Sequence, residues 1–243
     1  KPNTDERLIF ALDFSSPQEA LGWVERTRGV VKFYKVGWEL FLAGGWDVAH
    51  QVRDLGGNLF LDLKLLDIPQ TITRALKVIE THVDRPMLLT LHGFNTSIDP
   101  KLKADLDPRM KLLAVTALTS QSQADLERMG VKLSVQDYAV QIATRARDNG
   151  FDGVIASGQE AAALRAKLGP DFLIVTPGIR PAGPAVAKDD QARVATPAAA
   201  IQAGADYLVV GRPIRDAADP VATARSIQAE IAGALAVPLQ PAR

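Results

Sequence analysis

Cysteine is absent from the 243 residues. That absence excludes disulfides and thiolate metal centres, and it is compatible with a reducing compartment. An excess of either charge is missing too, because 28 Lys and Arg offset 28 Asp and Glu. Bulk charge therefore gives no support to a nucleic-acid or membrane surface, although a local site for a small anion would not show in the total. No apolar run approaches the roughly 20 residues of a membrane span. The first residues, Lys1-Pro2-Asn3-Thr4-Asp5-Glu6-Arg7, lack a signal-peptide pattern, and the cytoplasm is the expected location. No Gly-rich dinucleotide fingerprint follows the first candidate strand. No Gly-x-Ser-x-Gly elbow appears, which argues against a hydrolase of that type. No His, Asp and Glu grouping has convincing metal-ligand spacing.

What is present is ordinary globular material: 47% hydrophobic and 23% charged residues, enough for a sizeable core. Short apolar runs alternate with helical patterns throughout. The candidate strands are Leu8–Asp13, Lys32–Val36, Asn58–Lys64, Met87–His92, Lys111–Ala117, Gly153–Ala156, Leu173–Thr176 and Tyr207–Val210. Helical segments fit between them at Pro17–Arg28, Glu39–Asp54, Gln70–Thr81, near Pro100–Asp105, Gln123–Met129, Ser134–Asn149, Gln159–Leu168, Pro197–Ala203 and Val221–Ala236. Ser16 before Pro17 and Thr196 before Pro197 are helix-start signals. Strands alternating with helices pair in parallel by crossover. Eight such units predict a single (β/α)8 TIM-barrel domain over residues 1–243, with an open doubly wound sheet as the rival. The longest irregular segment, Gly178–Arg193, is expected to be functional and is a candidate lid.

Strand side chains alternate between faces. In the third strand Asn58, Phe60, Asp62 and Lys64 share one face, and Leu59, Leu61 and Leu63 the other. The leucine face should pack under helices, which turns the mixed face into the barrel. Asp62 and Lys64 then sit at its C-terminal end, where barrel enzymes place their chemistry. By the same alternation Asp13 ends the first strand and Lys35 nears the end of the second, so both reach the same rim. Asp67 follows in the loop before Pro69. Any one of these charges reads equally well as a solvated strand end or a structural ion pair. Their convergence favours a site, because clustered charges in a confined space cost desolvation and are where functional pKa shifts occur. His92 shares a face with Leu88 and Thr90 and reads as a hydrogen-bonded structural residue. His50 and His82 read as incidental.

The segments after the last two strands are Thr176-Pro177-Gly178-Ile179-Arg180 and Val209-Val210-Gly211-Arg212-Pro213-Ile214. Barrels often bind phosphate in these loops. Gly211 permits close backbone approach, Arg212 offers a forked cationic donor, and a following helix adds amide donors.

The run Phe60-Leu61-Asp62-Leu63-Lys64-Leu65-Leu66-Asp67-Ile68-Pro69 resembles the Asp-x-Lys-x-x-Asp-Ile-Pro signature of the orotidine 5′-monophosphate decarboxylases. Ala11-Leu12-Asp13, Lys35-Val36-Gly37, Leu118-Thr119-Ser120, the two phosphate-loop segments and Asp190-Gln191 resemble further segments of that family, in its order. The resemblance runs from Leu8 to about Ile214 and implies cofactor-free conversion of the nucleotide to UMP, with no metal. Lys64 would protonate C6 of the pyrimidine, and Asp62 would sit near the departing carboxylate. Lys35 would bridge Asp62 and the ribose, and Asp13 would bind a ribose hydroxyl. Thr119 would hold the pyrimidine, with Thr71 among the substrate contacts. Arg180, Gln191, Gly211 and Arg212 would bind phosphate or close over it. The resemblance also implies a homodimer with shared sites, in which Asp67 reaches into the partner's. The nearest rival is a Mg²⁺-dependent sugar-phosphate decarboxylase or aldolase of the same superfamily, which would carry an acidic residue near position 35. A non-catalytic nucleotide-phosphate binder would need only the phosphate loops.

Overall fold

A computed structural model describes residues 1–93, 103–118, 120–181 and 194–237. Eight parallel strands close into a barrel in sequence order, and the last pairs back onto the first. They are β1 (Leu8–Ala11), β2 (Phe33–Gly37), β3 (Asn58–Leu65), β4 (Met87–His92), β5 (Met110–Val115), β6 (Gly153–Ile155), β7 (Leu173–Thr176) and β8 (Tyr207–Val210). The described helices between and after them are α1 (Pro17–Thr27), α2 (Trp38–Asp54), α3 (Pro69–Glu80), α4 (Gln123–Arg128), α5 (Val135–Asp148), α6 (Ala161–Leu168), α7 (Pro197–Gln202), α8 (Arg212–Arg215) and α9 (Pro220–Leu235). The architecture is the (β/α)8 barrel that the alternation predicts. Of the helix expected near Pro100–Asp105, residues 100–102 fall outside the described residues, and Lys103 and Ala104 are helical.

Period-two alternation builds two cores. Ile9, Ala11, Phe33, Phe60, Leu88, Leu113, Val175, Tyr207 and Val209 meet inside the barrel. Their strand neighbours, among them Leu8, Phe10, Tyr34, Leu59, Leu61, Leu89 and Leu112, pack outward beneath the helices. Each fully buried Leu or Phe contributes about 1.5–3 kcal/mol, so every strand is held from both faces. At the opposite end from the strand C-termini, buried Asp206 ties the closing strands together. Its carboxylate accepts from the Ile174 amide at 2.9 Å and from Arg165 Nη2 at 2.6 Å, and it pairs with Lys1.

Several boundaries depart from the sequence reading, for local reasons. Pro69 and Pro220 are themselves the first helical residues, since proline's missing N–H is one a helix start leaves unbonded anyway. Ser16 and Thr196 cap as expected, accepting from the amides of Glu19 and Ala199. The expected second helix bends at Gly45, whose φ of 55° and ψ of −143° are not helical. β1 stops at Ala11 and not at Asp13, although the Leu12 amide still donates to the Lys35 carbonyl at 2.9 Å. β5 ends at Val115, before Ala117. The most consequential departure is in β3. Its register against β4 shifts between Leu61 and Leu65, and Lys64 adopts φ 46°. Among the described residues Lys64 is the one non-glycine in that left-handed region.

Candidate active site

The C-terminal ends of the strands enclose a cavity of about 250 Å³. Apolar residues of the barrel interior, including Ala11, Phe60, Val115, Ile155 and Val209, form its floor and sides. Above them stand Asp13, Lys35, Asp62, Lys64, Arg180 and Arg212. The charges arrive by alternation. Lys35 continues the inward row of Phe33, and Asp62 that of Phe60.

Asp13 just beyond β1, Lys35 on β2, and Asp62 and Lys64 on β3 form a chain of alternating sign. Lys35 Nζ donates to Asp13 Oδ1 at 3.0 Å and lies 3.6 Å from Asp62 Oδ2. Lys64 Nζ donates to the same Asp62 oxygen at 2.9 Å. The other Asp62 oxygen accepts from the Thr90 hydroxyl, also at 2.9 Å. Lys35 and Asp62 are largely buried, with side chains 13% and 12% exposed. Burial opposes the Lys35 ammonium, but Asp62 and then Asp13 outweigh it and hold its pKa above the ordinary lysine value. Burial likewise opposes the Asp62 carboxylate, and Lys35 and Lys64 overcome that to hold its pKa below the ordinary aspartate value. Both shifts favour the charged form, so Lys35 and Asp62 face each other as ammonium and carboxylate.

The opposite wall is built by the segments after β7 and β8. Gly178 takes φ 74°, a turn that glycine makes without steric cost. Beyond it the Arg180 amide donates to the Ala195 carbonyl at 2.9 Å, and Arg180 Nη1 donates to the Ile179 carbonyl at 2.8 Å. Gly211 caps the short helix α8, of which Arg212 is the first residue. A Cβ at Gly211 would lie 3.5 Å from Asp13 Oδ2 and 3.6 Å from Ala11 Cβ, both ordinary contacts. The protein itself leaves room for a methyl there, so the space that glycine keeps open belongs to the cavity.

The family model described as Orotidine 5′-phosphate decarboxylase / HUMPS family matches residues 6–227. The chain belongs to that family. Its similarity to individual decarboxylases extends over nearly the whole chain. Orotidine 5′-phosphate decarboxylase of Methylobacterium sp. (strain 4-46) is 48% identical over 235 residues, covering 94% of this chain and 97% of the relative. That of Stenotrophomonas maltophilia (strain K279a) is 47% identical over 234 residues, covering 96% and 95%. Among solved structures, orotidine 5′-phosphate decarboxylase from Lactobacillus acidophilus superposes with a TM-score of 0.79 at 34% identity, covering 93% of this chain and 99% of that one. The enzyme from Pyrococcus horikoshii OT3 gives 0.73 at 26% identity over 93% and 99%.

Within this decarboxylase chain, the residues singled out from sequence fall into three groups. Asp13, Lys35, Asp62, Lys64, Arg180, Gly211 and Arg212 line one cavity. Asp67 and Thr71 do not line it. Asp67 is exposed in the loop after β3, its Oδ1 accepting from the Ile68 amide at 2.7 Å, and Thr71 is exposed in the first turn of α3. Thr119 and Gln191 lie outside the described residues, as does most of the candidate lid. His92 ends β4 half-buried, and burial, then the nearby charge of Lys64, pushes its imidazole pKa down. Among the described residues no group of three or more His, Cys, Asp or Glu is placed to hold a metal ion, and no described helix is long and apolar enough to cross a membrane.

Two features escaped the sequence reading. Thr90 touches the charge network directly. Its signal was present, as a polar residue on the inward face of β4 beside the Asp62 layer. His50 and His82 are not independent: their rings meet at 3.0 Å, and Trp46 stacks on His82. Nothing in a separation of 32 residues announces that pairing.

Proposed function

We propose that this chain, as one (β/α)8 domain over residues 1–243, decarboxylates orotidine 5′-monophosphate to UMP without a metal or cofactor, in pyrimidine synthesis. The observation that carries the reading is the sharing of Asp62 Oδ2 by Lys64 and Lys35 at 2.9 and 3.6 Å inside the cavity.

The chemistry follows from that arrangement. Cleavage of the C6–carboxylate bond leaves its electron pair on C6 as CO₂ departs, and the ring is poorly placed to delocalise it. Lys64 would stabilise the developing charge and then transfer a proton from its ammonium to C6. Asp62 would lie against the substrate carboxylate and favour its departure. Lys35 would hold Asp62 and reach the ribose, with Asp13 on a ribose hydroxyl. Arg180, Gly211 and Arg212, with Gln191, would hold the phosphate, so that remote binding energy assists the reacting end. Thr119 would contact the pyrimidine. The Mg²⁺-dependent rival fits less well, because the Lys35 ammonium stands between Asp13 and Asp62, where a divalent cation would need those carboxylates.

The site is completed, in this reading, by a second copy of the chain. Asp67 and Thr71 face solvent beside two exposed apolar side chains: Leu66 is 52% and Ile68 65% exposed. A two-fold dimer would bury such a patch against its own image and bring each Asp67 and Thr71 to the partner's cavity. The deciding experiment is an absorbance assay of purified protein with orotidine 5′-monophosphate. Loss of the orotate chromophore with release of UMP is expected, and an inert protein would refute the assignment.

A further inference from the structure

We propose that Thr90 is a positioning residue, whose hydroxyl bridges the Lys64 backbone and the Asp62 carboxylate and so sets the relative placement of these two charged side chains. The inference rests on the decarboxylase reading and adds to it a residue outside the cavity-lining set.

Thr90 is wholly buried, on the inward face of β4. Its Oγ1 accepts from the Lys64 amide at 2.9 Å and donates to Asp62 Oδ1 at 2.9 Å. A hydroxyl has one proton to give, so these two bonds fix its orientation. Each bond controls a separate part of the network. The one to Oδ1 sets the plane of the Asp62 carboxylate, which leaves Oδ2 turned toward Lys64 at 2.9 Å and Lys35 at 3.6 Å. The one from the amide anchors Lys64 where its φ is 46° and the ladder to β4 is out of step. A non-glycine residue resists that conformation, so it persists only where its surroundings hold it. The backbone bend that aims the ammonium and the carboxylate that receives it are thus pinned by a single oxygen.

Placement errors near 1 Å at a reacting centre cost about 100-fold in rate. Thr90→Val keeps the branched shape and removes both bonds. We expect kcat to fall about 10- to 100-fold, with KM for orotidine 5′-monophosphate and the Kd for UMP within about threefold of wild type. Thr90→Ser keeps the oxygen and should stay within about threefold of wild type in kcat. If the valine variant does not fold, Thr90→Ala is compared with Thr90→Ser: both lose the methyl and one loses the hydroxyl, so a serine variant at least about tenfold faster than alanine supports the bridge. A valine variant with wild-type kcat, or serine as slow as alanine, would overturn it and show Thr90 to be packing. A wild-type chain with no turnover would instead bring down the decarboxylase reading, and this inference with it.

Discussion

Replacing Lys64 by alanine removes the ammonium that lies 2.9 Å from Asp62, and with it the group assigned to protonate C6. Two contributions disappear together. A positioned general acid is worth about 10²–10⁴ in rate. A full positive charge about 4 Å from a developing anion contributes about 4 kcal/mol at an effective dielectric of about 20, which is about 10³ in rate. One ammonium supplies both, so the contributions overlap and the expected loss in kcat is about 10⁴-fold or more. The fold should survive, because Asp62 keeps Lys35 at 3.6 Å and Thr90 at 2.9 Å. The Lys64 side chain is 31% exposed, so its pairing adds about 1 kcal/mol or less to stability. The assay is loss of orotidine 5′-monophosphate absorbance, with UMP titration and thermal melting to verify an intact binding site. A folded variant that retains more than about a tenth of wild-type kcat, a barrier change under about 1.4 kcal/mol, would refute the central role of Lys64.

Arg212→Ala should weaken kcat/KM for the phosphorylated nucleotide by about 2–5 kcal/mol while leaving the unphosphorylated nucleoside nearly unaffected; equal losses would mean that Arg212 does not read phosphate. Mixing inactive Asp67→Ala with inactive Lys64→Ala should restore about a quarter of wild-type sites, since random exchange makes about half the dimers mixed, each with one intact site. Mixed dimers that stay inactive would return Asp67 to its own subunit. Lys64→Gly should be inactive yet more stable than Lys64→Ala by about 1 kcal/mol, raising Tm by about 2–4 °C, because glycine adopts the observed φ without strain. Equal melting temperatures would show that the bend stores no such energy.

The barrel and its inner and outer faces were legible because parallel strands with a buried face write their geometry as a period of two. Phe33 with Lys35, and Phe60 with Asp62, lie on the inward side where that period puts them. The same rule also placed Lys64 inward, but as the next tooth of a regular strand. The actual route is a left-handed turn at Lys64, which side-chain pattern does not encode, since such turns are ordinarily announced by Gly or Asn. Thr90 went unweighted for a related reason: a threonine among leucines in a strand satisfies β-propensity equally well as packing. Its hydroxyl acquires meaning only against a carboxylate on the neighbouring strand. Asp67 shows the complementary limit. Sequence proximity grouped it with Asp62 and Lys64, yet the strand ends at Leu65 and the loop carries Asp67 away from the cavity.

The register between β3 and β4 has a consequence in path length. Leu61 pairs with Leu89 and Leu65 with Leu91, so four residue steps of β3 run beside two of β4. At about 3.3 Å per residue, β3 carries about 7 Å of slack over this interval. The slack contains Asp62, Leu63 and Lys64. Asp62 keeps its inward place by alternation, in step with β2 at Gly37; the surplus chain lets Lys64 turn and stand beside it over the mouth of the barrel while the wall stays closed. The site at β3 is therefore an insertion as much as a set of side chains. Removing two residues from this interval would allow the ladder to run in step and the barrel to close as before. The resulting protein would keep its architecture and lose the reach that brings a carboxylate and an ammonium to the same small volume.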